Sequence, residues 1–278
     1  MGKTRIFFVS DIHGSDKLYL KFLNAAKVYG AQVLIIGGDI AGKALVPVFK
    51  KGNSFEAEVK GNVMKAENEE KLVEIKRAIR SQGDYPIIIE KEEWQELLRD
   101  KDKLDRIFLE LIKENMIEWC RLAEERLKPL GTKIIINTGN DDPKVCEEVL
   151  KESDFVIYPN EKIIWVDEYH EMLSLGYSNP TPWNLPGDLP EEILESKIDS
   201  LVSSAREARR MIFNIHVPPF NTHLDIAPKL DQDLRPVLTP GGEPEFTHVG
   251  SIAVRKAIEK YQPFIGLHGH IHESKGYT

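Results

Sequence analysis

Five short apolar segments, each followed at once by a polar loop, constrain the fold of this chain more than any other feature of its sequence. They are RIFFVSD, QVLIIGGD, TKIIINTGND, RMIFNIHVPP and PFIGLHGHIH, and helical segments separate several of them. Apolar runs of this length are typical of buried strands in an α/β fold. Ligands of open α/β sheets bind outside the carboxyl ends of the strands, where we expect all of these polar loops to lie.

The composition narrows the class of protein. The chain has 278 residues, of which 41% are hydrophobic and 29% charged, and its net charge is −8. This acidic balance argues against a nucleic-acid-binding surface, which relies on basic residues. Cys120 and Cys146 form no CxxC pair, and the amino terminus has no long apolar stretch. We therefore expect a cytoplasmic protein without a signal peptide or membrane anchor.

The span between the second and third apolar segments is organised differently. The stretch LVPVFKKGNSFEAEVKG predicts a hairpin that turns at Gly52 and Asn53, AENEEKLVEIKRAIRS predicts a charged helix, and residues 101–128 predict a longer helix. We interpret 44–100 as an inserted hairpin and helices within a single domain, 1–278. A lid or a partner-binding surface is the alternative. The proline-rich stretch 176–190 predicts a long loop, either a functional one or a connector.

The first two polar loops carry carboxylate and imidazole groups. Asp11 and His13 are separated by one residue, so both can point into one pocket from a loop after a strand. Asp39 follows two glycines, which let the backbone turn sharply and leave room beside the carboxylate. Each pattern by itself is weak evidence of a site.

The three later loops add nitrogen and amide ligands. The carbonyl oxygen of Asn140, after Gly139, can coordinate a cation without adding charge. His216 ends a strand, and a strand-like HxH at His270 and His272 would place both imidazoles on one face. A satisfied polar group is the simpler interpretation of any one of these histidines, but it does not explain the ordered set.

Taken in order, these motifs resemble those of the calcineurin-like metallophosphoesterase superfamily. The phrases GYSNPTPW and HVGSIAVRKAIE resemble its microbial Icc-like branch of predicted phosphoesterases. The resemblance implies an α/β sandwich of two mixed β-sheets flanked by helices, here with a helical and hairpin insertion. The matching stretches are DIHG (11–14), GGD (37–39), GND (139–141), IHVPP (215–219) and GHIH (269–272).

The resemblance also implies a dinuclear metal site and a hydrolytic activity. One divalent cation would be held by Asp11, His13, Asp39 and His272, and the second by Asp39, Asn140, His216 and His270, with Asp39 bridging them. Mixed nitrogen and oxygen ligands suit Mn²⁺ best, with Fe, Zn²⁺ or Ni²⁺ as alternatives. A hydroxide bridging the two ions would attack the phosphorus of a phosphate-ester substrate.

The sequence departs from the family pattern at one catalytic position. Many members read GNHD or GNHE, whereas this chain reads GNDD and has Asp141 in place of the histidine. A carboxylate beside two cations is a poor acid and repels phosphate. We therefore expect phosphodiesters, or esters with good leaving groups, to be preferred over monoesters. Alternatively, His223 or His248 supplies the proton.

Two alternative hypotheses of function remain, a scaffold and a nuclease. A non-catalytic protein-interaction scaffold that keeps the fold is the main alternative to a dinuclear phosphoesterase, although a scaffold has no physical need for the seven ligand residues. A nuclease fits the chemistry but lacks a basic stripe. The superfamily fold usually continues past GHxH, whereas this chain ends at ESKGYT, so either carboxyl-terminal strands are missing or the sheet closes differently. The natural substrate and the oligomeric state are not predicted.

Overall fold

The structure is a computed structural model that describes residues 3–274 and 276–278. Within these ranges no helix combines the length and the apolar character needed to cross a lipid bilayer. The strands are β1 (Ile6–Val9), β2 (Val33–Ile36), β3 (Leu45–Lys51), β4 (Ser54–Val59), β5 (Asn62–Ala66), β6 (Tyr85–Ile89), β7 (Lys133–Ile136), β8 (Lys162–Trp165), β9 (Glu171–Leu175), β10 (Ile212–Ile215), β11 (Ile226–Pro228), β12 (Phe246–His248) and β13 (Ile265–Leu267). The α-helices are α1 (Asp16–Val28), α2 (Glu69–Gln82), α3 (Lys91–Leu97), α4 (Lys101–Leu127), α5 (Lys144–Glu152), α6 (Glu191–Ser203) and α7 (Ile252–Tyr261).

Two sheets form the centre of the fold. The first has the order β1-β2-β7, and its strands are parallel. The second has the order β13-β10-β9-β8, in which only β8 is antiparallel to its neighbour. The predicted fold class, α/β with sheets flanked by helices, is confirmed. The five apolar segments form β1, β2, β7, β10 and β13.

Alternate side chains of the strands build separate cores on the two faces of each sheet. In β2, Val33 and Ile35 pack against Met172 and Ile212 of the second sheet. The intervening residues of β2 face the helices and share a core with Trp119 of α4. Helices α6 and α7 cover the outer face of the second sheet. The result is four layers, helix, sheet, sheet and helix, which hold the parallel strand ends at one rim.

The inserted span contains a third sheet. Strands β3 and β4 form the predicted hairpin, with Gly52 and Asn53 at its turn, and α2 is the predicted charged helix. The sheet has the order β5-β4-β3-β6 and packs one face on α2, with Val48, Ile75 and Ile79 fully buried. Strands β5 and β6 and helix α3 were not predicted, so this span has more structure than a hairpin and helices.

The end of α2 attaches the inserted sheet to the central layers. Arg80 of α2 pairs with Asp16 of α1 at 2.7 Å and with Glu118 of α4 at 2.7 Å. Gly83 ends α2 with a left-handed φ of 98°, and a Cβ on it would lie 1.9 Å from the carbonyl oxygen of His13. The insertion is therefore packed directly against the loop that follows β1.

Candidate metal centre

Backbone pairing continues past the ends of β1 and β2 and holds their polar loops together. The amide of Asp11 donates to the carbonyl of Gly38 at 3.0 Å, and the amide of His13 donates to the carbonyl of Asp39 at 3.0 Å. The carboxylate of Asp11 accepts the amide of His270 at 2.9 Å, which joins the first sheet's loop to the loop after β13. Polar loops from both sheets thus meet at one rim.

Four residues of this rim have left-handed backbone conformations. The φ angles are 57° at Asp11, 40° at His13, 51° at Asp39 and 72° at His270. This conformation costs a non-glycine residue about 1–2 kcal/mol. Because such strain concentrates where side chains must be aimed for function, its occurrence at four predicted ligands supports a functional site here.

The first group of side chains comprises Asp11, His13, Asp39 and His272, whose potential ligand atoms lie within 4.8 Å of one another. The Nε2 atoms of His13 and His272 are 2.9 Å apart. His272 Nε2 lies 3.5 Å from Asp11 Oδ1, and His13 Nε2 lies 3.9 Å from Asp39 Oδ2. Two imidazole nitrogens and two carboxylates therefore converge on one point, as in a site for a borderline divalent cation.

The second group comprises Asp39, His216 and His270. His216 Nε2 lies 3.3 Å from Asp39 Oδ1, and the rings of His216 and His270 are 5.3 Å apart between centroids. Asp39 belongs to both groups and directs one carboxylate oxygen toward each. A carboxylate in this position can bridge two cations and offset part of their repulsion.

Asn140 and His216 carry buried polar atoms that the protein leaves without hydrogen bonds. Asn140 is 1% exposed and His216 is 0% exposed. Within the described residues, Asn140 Oδ1 and His216 Nδ1 have no hydrogen-bond partner, and His216 Nε2 has only the ion contact with Asp39 at 3.3 Å. Leaving such atoms unsatisfied costs about 1–3 kcal/mol each, so the donor set fits a bound cation that would satisfy them.

The local electrostatics also favour positive charge. Burial alone would raise the pKa of Asp39, but the histidines around it lower that pKa well below its usual range. Burial disfavours a charged His216, but the carboxylates of Asp39 and Asp11 outweigh burial and raise its pKa to about 9. Burial and repulsion by His216 lower the pKa of His270 to about 4. Cations would replace the proton that balances these carboxylates.

Asp188 and Ser178 support the second group from the long loop 178–189. Asp188 Oδ1 accepts the side-chain amide of Asn140 at 2.8 Å, which directs Asn140 Oδ1 away from Asp188. The other carboxylate oxygen of Asp188 accepts the amides of Thr181 and Leu185, both at 3.0 Å. The hydroxyl of Ser178 lies 3.0 Å from His270 Nε2. Sequence reasoning missed Asp188, because Asn140, its partner among the predicted ligands, is remote in the chain.

Asp142 joins the loops after β2 and β7. Its carboxylate accepts the amides of Ile40 at 2.9 Å, Ala41 at 2.8 Å and Gly139 at 2.7 Å. Burial and repulsion by Asp39 outweigh these bonds and raise the pKa of Asp142 to about 7. The second aspartate of GNDD was the only signal of this role in the sequence.

Asp141 lies at the mouth of the site in an ion pair. Its Oδ2 is 2.7 Å from Lys43 Nζ, and both residues line a cleft that also contains Asp39, His270 and His272. The expected repulsion between Asp141 and a phosphate is therefore offset by a neighbouring ammonium group. Lys43 was not among the predicted site residues.

The structure does not bring the two candidate proton donors, His223 and His248, into this cleft. His223 is exposed on a turn before β11. His248 Nδ1 lies 2.7 Å from Asp225 Oδ1. Thr247 and Val249 line the cleft. Because side chains alternate along a strand, the His248 ring lies on the face away from the cleft.

The strand-like interpretation of GHIH is wrong. Strand β13 ends at Leu267, and the backbone turns through His270. His270 and His272 belong to different groups, sharing no single face. At this turn the amide of Gly269 donates to the carbonyl of His216 at 2.8 Å, and Gly269 packs so closely on Ser10 that a Cβ would lie 2.1 Å from Ser10 Oγ.

By sequence, the chain is similar to part of one uncharacterized protein. No protein-family model matches the sequence. An uncharacterized protein of Methanocaldococcus jannaschii, MJ1162, is 31% identical over 146 residues, which are 51% of this chain and 57% of the relative. The chain thus spans just over half the length of that relative.

Two solved structures align with most of the chain. One crystal structure aligns with 98% of this chain and 84% of its own, with a TM-score of 0.53 and 15% sequence identity. The crystal structure of TT1561 of Thermus thermophilus aligns with 96% of this chain and 81% of its own, with a TM-score of 0.49 and 11% identity. The first of these alignments shows that the fold occurs in a solved structure.

Proposed function

We propose that this protein is a dinuclear metal-dependent phosphoesterase of the calcineurin-like type, with phosphodiesters preferred over monoesters. The observation that carries the proposal is the pair of ligand groups that share Asp39. The buried, unpartnered atoms of Asn140 and His216 complete the second group. A purely structural pocket would hydrogen-bond these atoms within the protein.

The ligand residues divide between two cations, with Mn²⁺ the best fit and Fe, Zn²⁺ or Ni²⁺ as alternatives. When bound, a pair of cations supplies a hydroxide near neutral pH and neutralises charge on phosphoryl oxygens. In hydrolysis, a new oxygen–phosphorus bond forms and the ester oxygen–phosphorus bond breaks, and a good leaving group departs as an anion with the electron pair of the broken bond.

The chain's own residues then orient the phosphate. Lys43 presents an ammonium group at the cleft, held by Asp141 at 2.7 Å. A phosphodiester carries one negative charge, so a single ammonium and two cations neutralise it without a further positive group. Since the family's histidine is replaced by Asp141, esters with good leaving groups, which need no protonation, are the favoured substrates.

The test combines metal content with hydrolysis of bis(p-nitrophenyl) phosphate in the presence of Mn²⁺. We expect Mn²⁺ to stimulate turnover by the wild type. Turnover by Asp39→Asn and by His216→Ala should be lower by at least about 100-fold. Loss of a residue that only supports a ligand typically lowers metal affinity or activity about 10–100-fold, and loss of a ligand itself should have a larger effect. Metal bound per chain is measured by plasma mass spectrometry.

The matched controls are Asp167→Asn and His170→Ala, which remove the same types of side chain. Asp167 and His170 contact each other at 2.9 Å in the loop between β8 and β9, at the opposite end of the second sheet. Both controls are expected to retain wild-type turnover. A wild type that is replete with metal but inactive on diesters and monoesters would contradict the proposal and favour a scaffold.

A further inference from the structure

The cleft over the metal centre is much larger than a phosphate group requires. Its volume is about 930 Å³, with Asp39, His270 and His272 at one end. Pockets of about 300–1,000 Å³ accommodate ligands of the size of a drug molecule. The cleft therefore has room for a substantial group attached to the phosphate.

Two segments form the sides of this cleft, and apolar side chains cover both. One side is the loop 178–189, which contributes Pro180, Trp183 and Leu185. The other is the arm 226–248, which contributes Leu230 and Leu234. Trp183 is 57% exposed and Leu234 is 44% exposed, and exposed apolar side chains grouped in one cleft are typical of a ligand-binding groove.

The loop that carries Trp183 is held firmly in place. At its ends, the amide of Ser178 donates to the carbonyl of Gly187 at 3.0 Å, and the amide of Leu189 donates to the carbonyl of Ser178 at 2.8 Å. Asp188 binds the amide of Leu185 at 3.0 Å on one side and Asn140 at 2.8 Å on the other. The backbone that carries Trp183 is thus fixed at the lining of the cleft.

We infer that one ester group of the substrate is a planar aromatic ring that packs against Trp183 while the phosphate occupies the metal centre. This inference rests on the proposed function. An indole offers a flat π-face that stacks on aromatic rings, and the leucines of the arm cover the opposite side of the ring. The ammonium of Lys43, at the metal end of the cleft, pairs with the phosphate.

The experiment compares an aromatic diester with an ion that needs only the metal centre. With Mn²⁺-loaded protein, the KM for bis(p-nitrophenyl) phosphate is measured together with the inhibition constant of inorganic phosphate. Trp183→Ala should raise the KM about 10-fold, the loss of one aromatic stacking contact, with the inhibition constant for phosphate unchanged. Trp183→Phe should restore most of the affinity for the diester. Leu234→Ala should also raise the KM, because it removes apolar surface that the arm contributes to the cleft.

The matched control is Trp165→Ala, which removes a tryptophan of similar exposure, 41%, from β8. This variant should keep the wild-type KM. If Trp183→Ala and Leu234→Ala both keep that KM, or if phosphate inhibition weakens as much as diester binding, the inference is overturned while the proposed function stands. A wild type that hydrolyses neither diester nor monoester overturns the proposed function and this inference with it.

Discussion

Replacement of Asp188 by asparagine tests whether a residue outside the ligand set positions the metal centre. The Asp188 carboxylate accepts the Asn140 side-chain amide with Oδ1 and the amides of Thr181 and Leu185 with Oδ2. In Asp188→Asn, the carbonyl oxygen can keep the two loop amides. The new NH₂ group then faces the NH₂ group of Asn140, and neither can accept.

The structure sets the size of the effect. A hydrogen bond to a charged group contributes about 1.5–3 kcal/mol, and here it fixes the orientation of the Asn140 side chain, with Oδ1 directed away from Asp188. Loss of such outer-shell support typically lowers metal affinity about 10–100-fold, which corresponds to about 1.4–2.8 kcal/mol. We expect Asp188→Asn to show this loss in calorimetric titration of the metal-free protein with Mn²⁺.

Asp167→Asn is the control for the general effect of losing a carboxylate that stabilises a turn. Asp167 accepts the amides of Tyr169 and His170, both at 2.8 Å, so its replacement also removes a carboxylate that stabilises a turn. We expect this variant to lower the melting temperature without changing Mn²⁺ affinity. The reasoning is refuted if Asp188→Asn binds Mn²⁺ as tightly as the wild type while it melts no lower than Asp167→Asn.

Three further substitutions probe the site and the layers that support it. A Cβ in Gly139→Ala would lie 2.1 Å from Asp39 Oδ1, so this variant should retain little metal when its metal content is measured by mass spectrometry. The control is Gly241→Ala, whose Cβ would meet its nearest atom at 3.8 Å and which should bind metal as the wild type does. Burial would raise the pKa of Asp225, but the hydrogen bonds that its carboxylate accepts lower that pKa below its usual value. The ionised carboxylate therefore stabilises the folded protein above about pH 3.9, the pKa of an unfolded aspartate. This contribution is lost as the pH falls through the lower pKa of the folded state. Asp225→Asn should therefore lower the free energy of unfolding by about 1–3 kcal/mol at pH 7 in urea titrations, with a smaller difference below about pH 4; an equal difference at both pH values would contradict this. Trp119 is 1% exposed, and Trp119→Ala should lower the free energy of unfolding by about 3–5 kcal/mol, which an unchanged denaturant midpoint would refute.

The strands and their polar loops could be predicted because their cause is local and repeated. Each apolar run is followed directly by its polar residues, and parallel strands necessarily bring their carboxyl ends to one rim. Asp11, Asp39 and His216 therefore converge for reasons that are visible in the sequence. The bend at His270 was not visible, because it lies where Gly269 packs against Ser10 of the loop after β1, which is remote in the sequence.

The inserted sheet and the support of the site depend on contacts that leave little trace in a single sequence. Strand β6 contains Pro86, which argues against a central strand, and β6 does lie at an edge. Lys43 and Asp188 resemble ordinary loop residues. Their partners, Asp141 and Asn140, are about 100 and 50 residues away, a distance that no local pattern spans.

The left-handed residues at the rim have a consequence for how cations bind. The packing of the two sheets holds Asp11, His13, Asp39 and His270 at their strained φ angles, so the fold itself carries the cost of this distortion. An incoming ion then meets an arrangement that needs little reorganisation, so its intrinsic affinity is not spent on bending the chain. His13→Gly would relieve the local strain and remove a ligand, so we expect this variant to have a higher melting temperature and a weaker affinity for Mn²⁺ than the wild type.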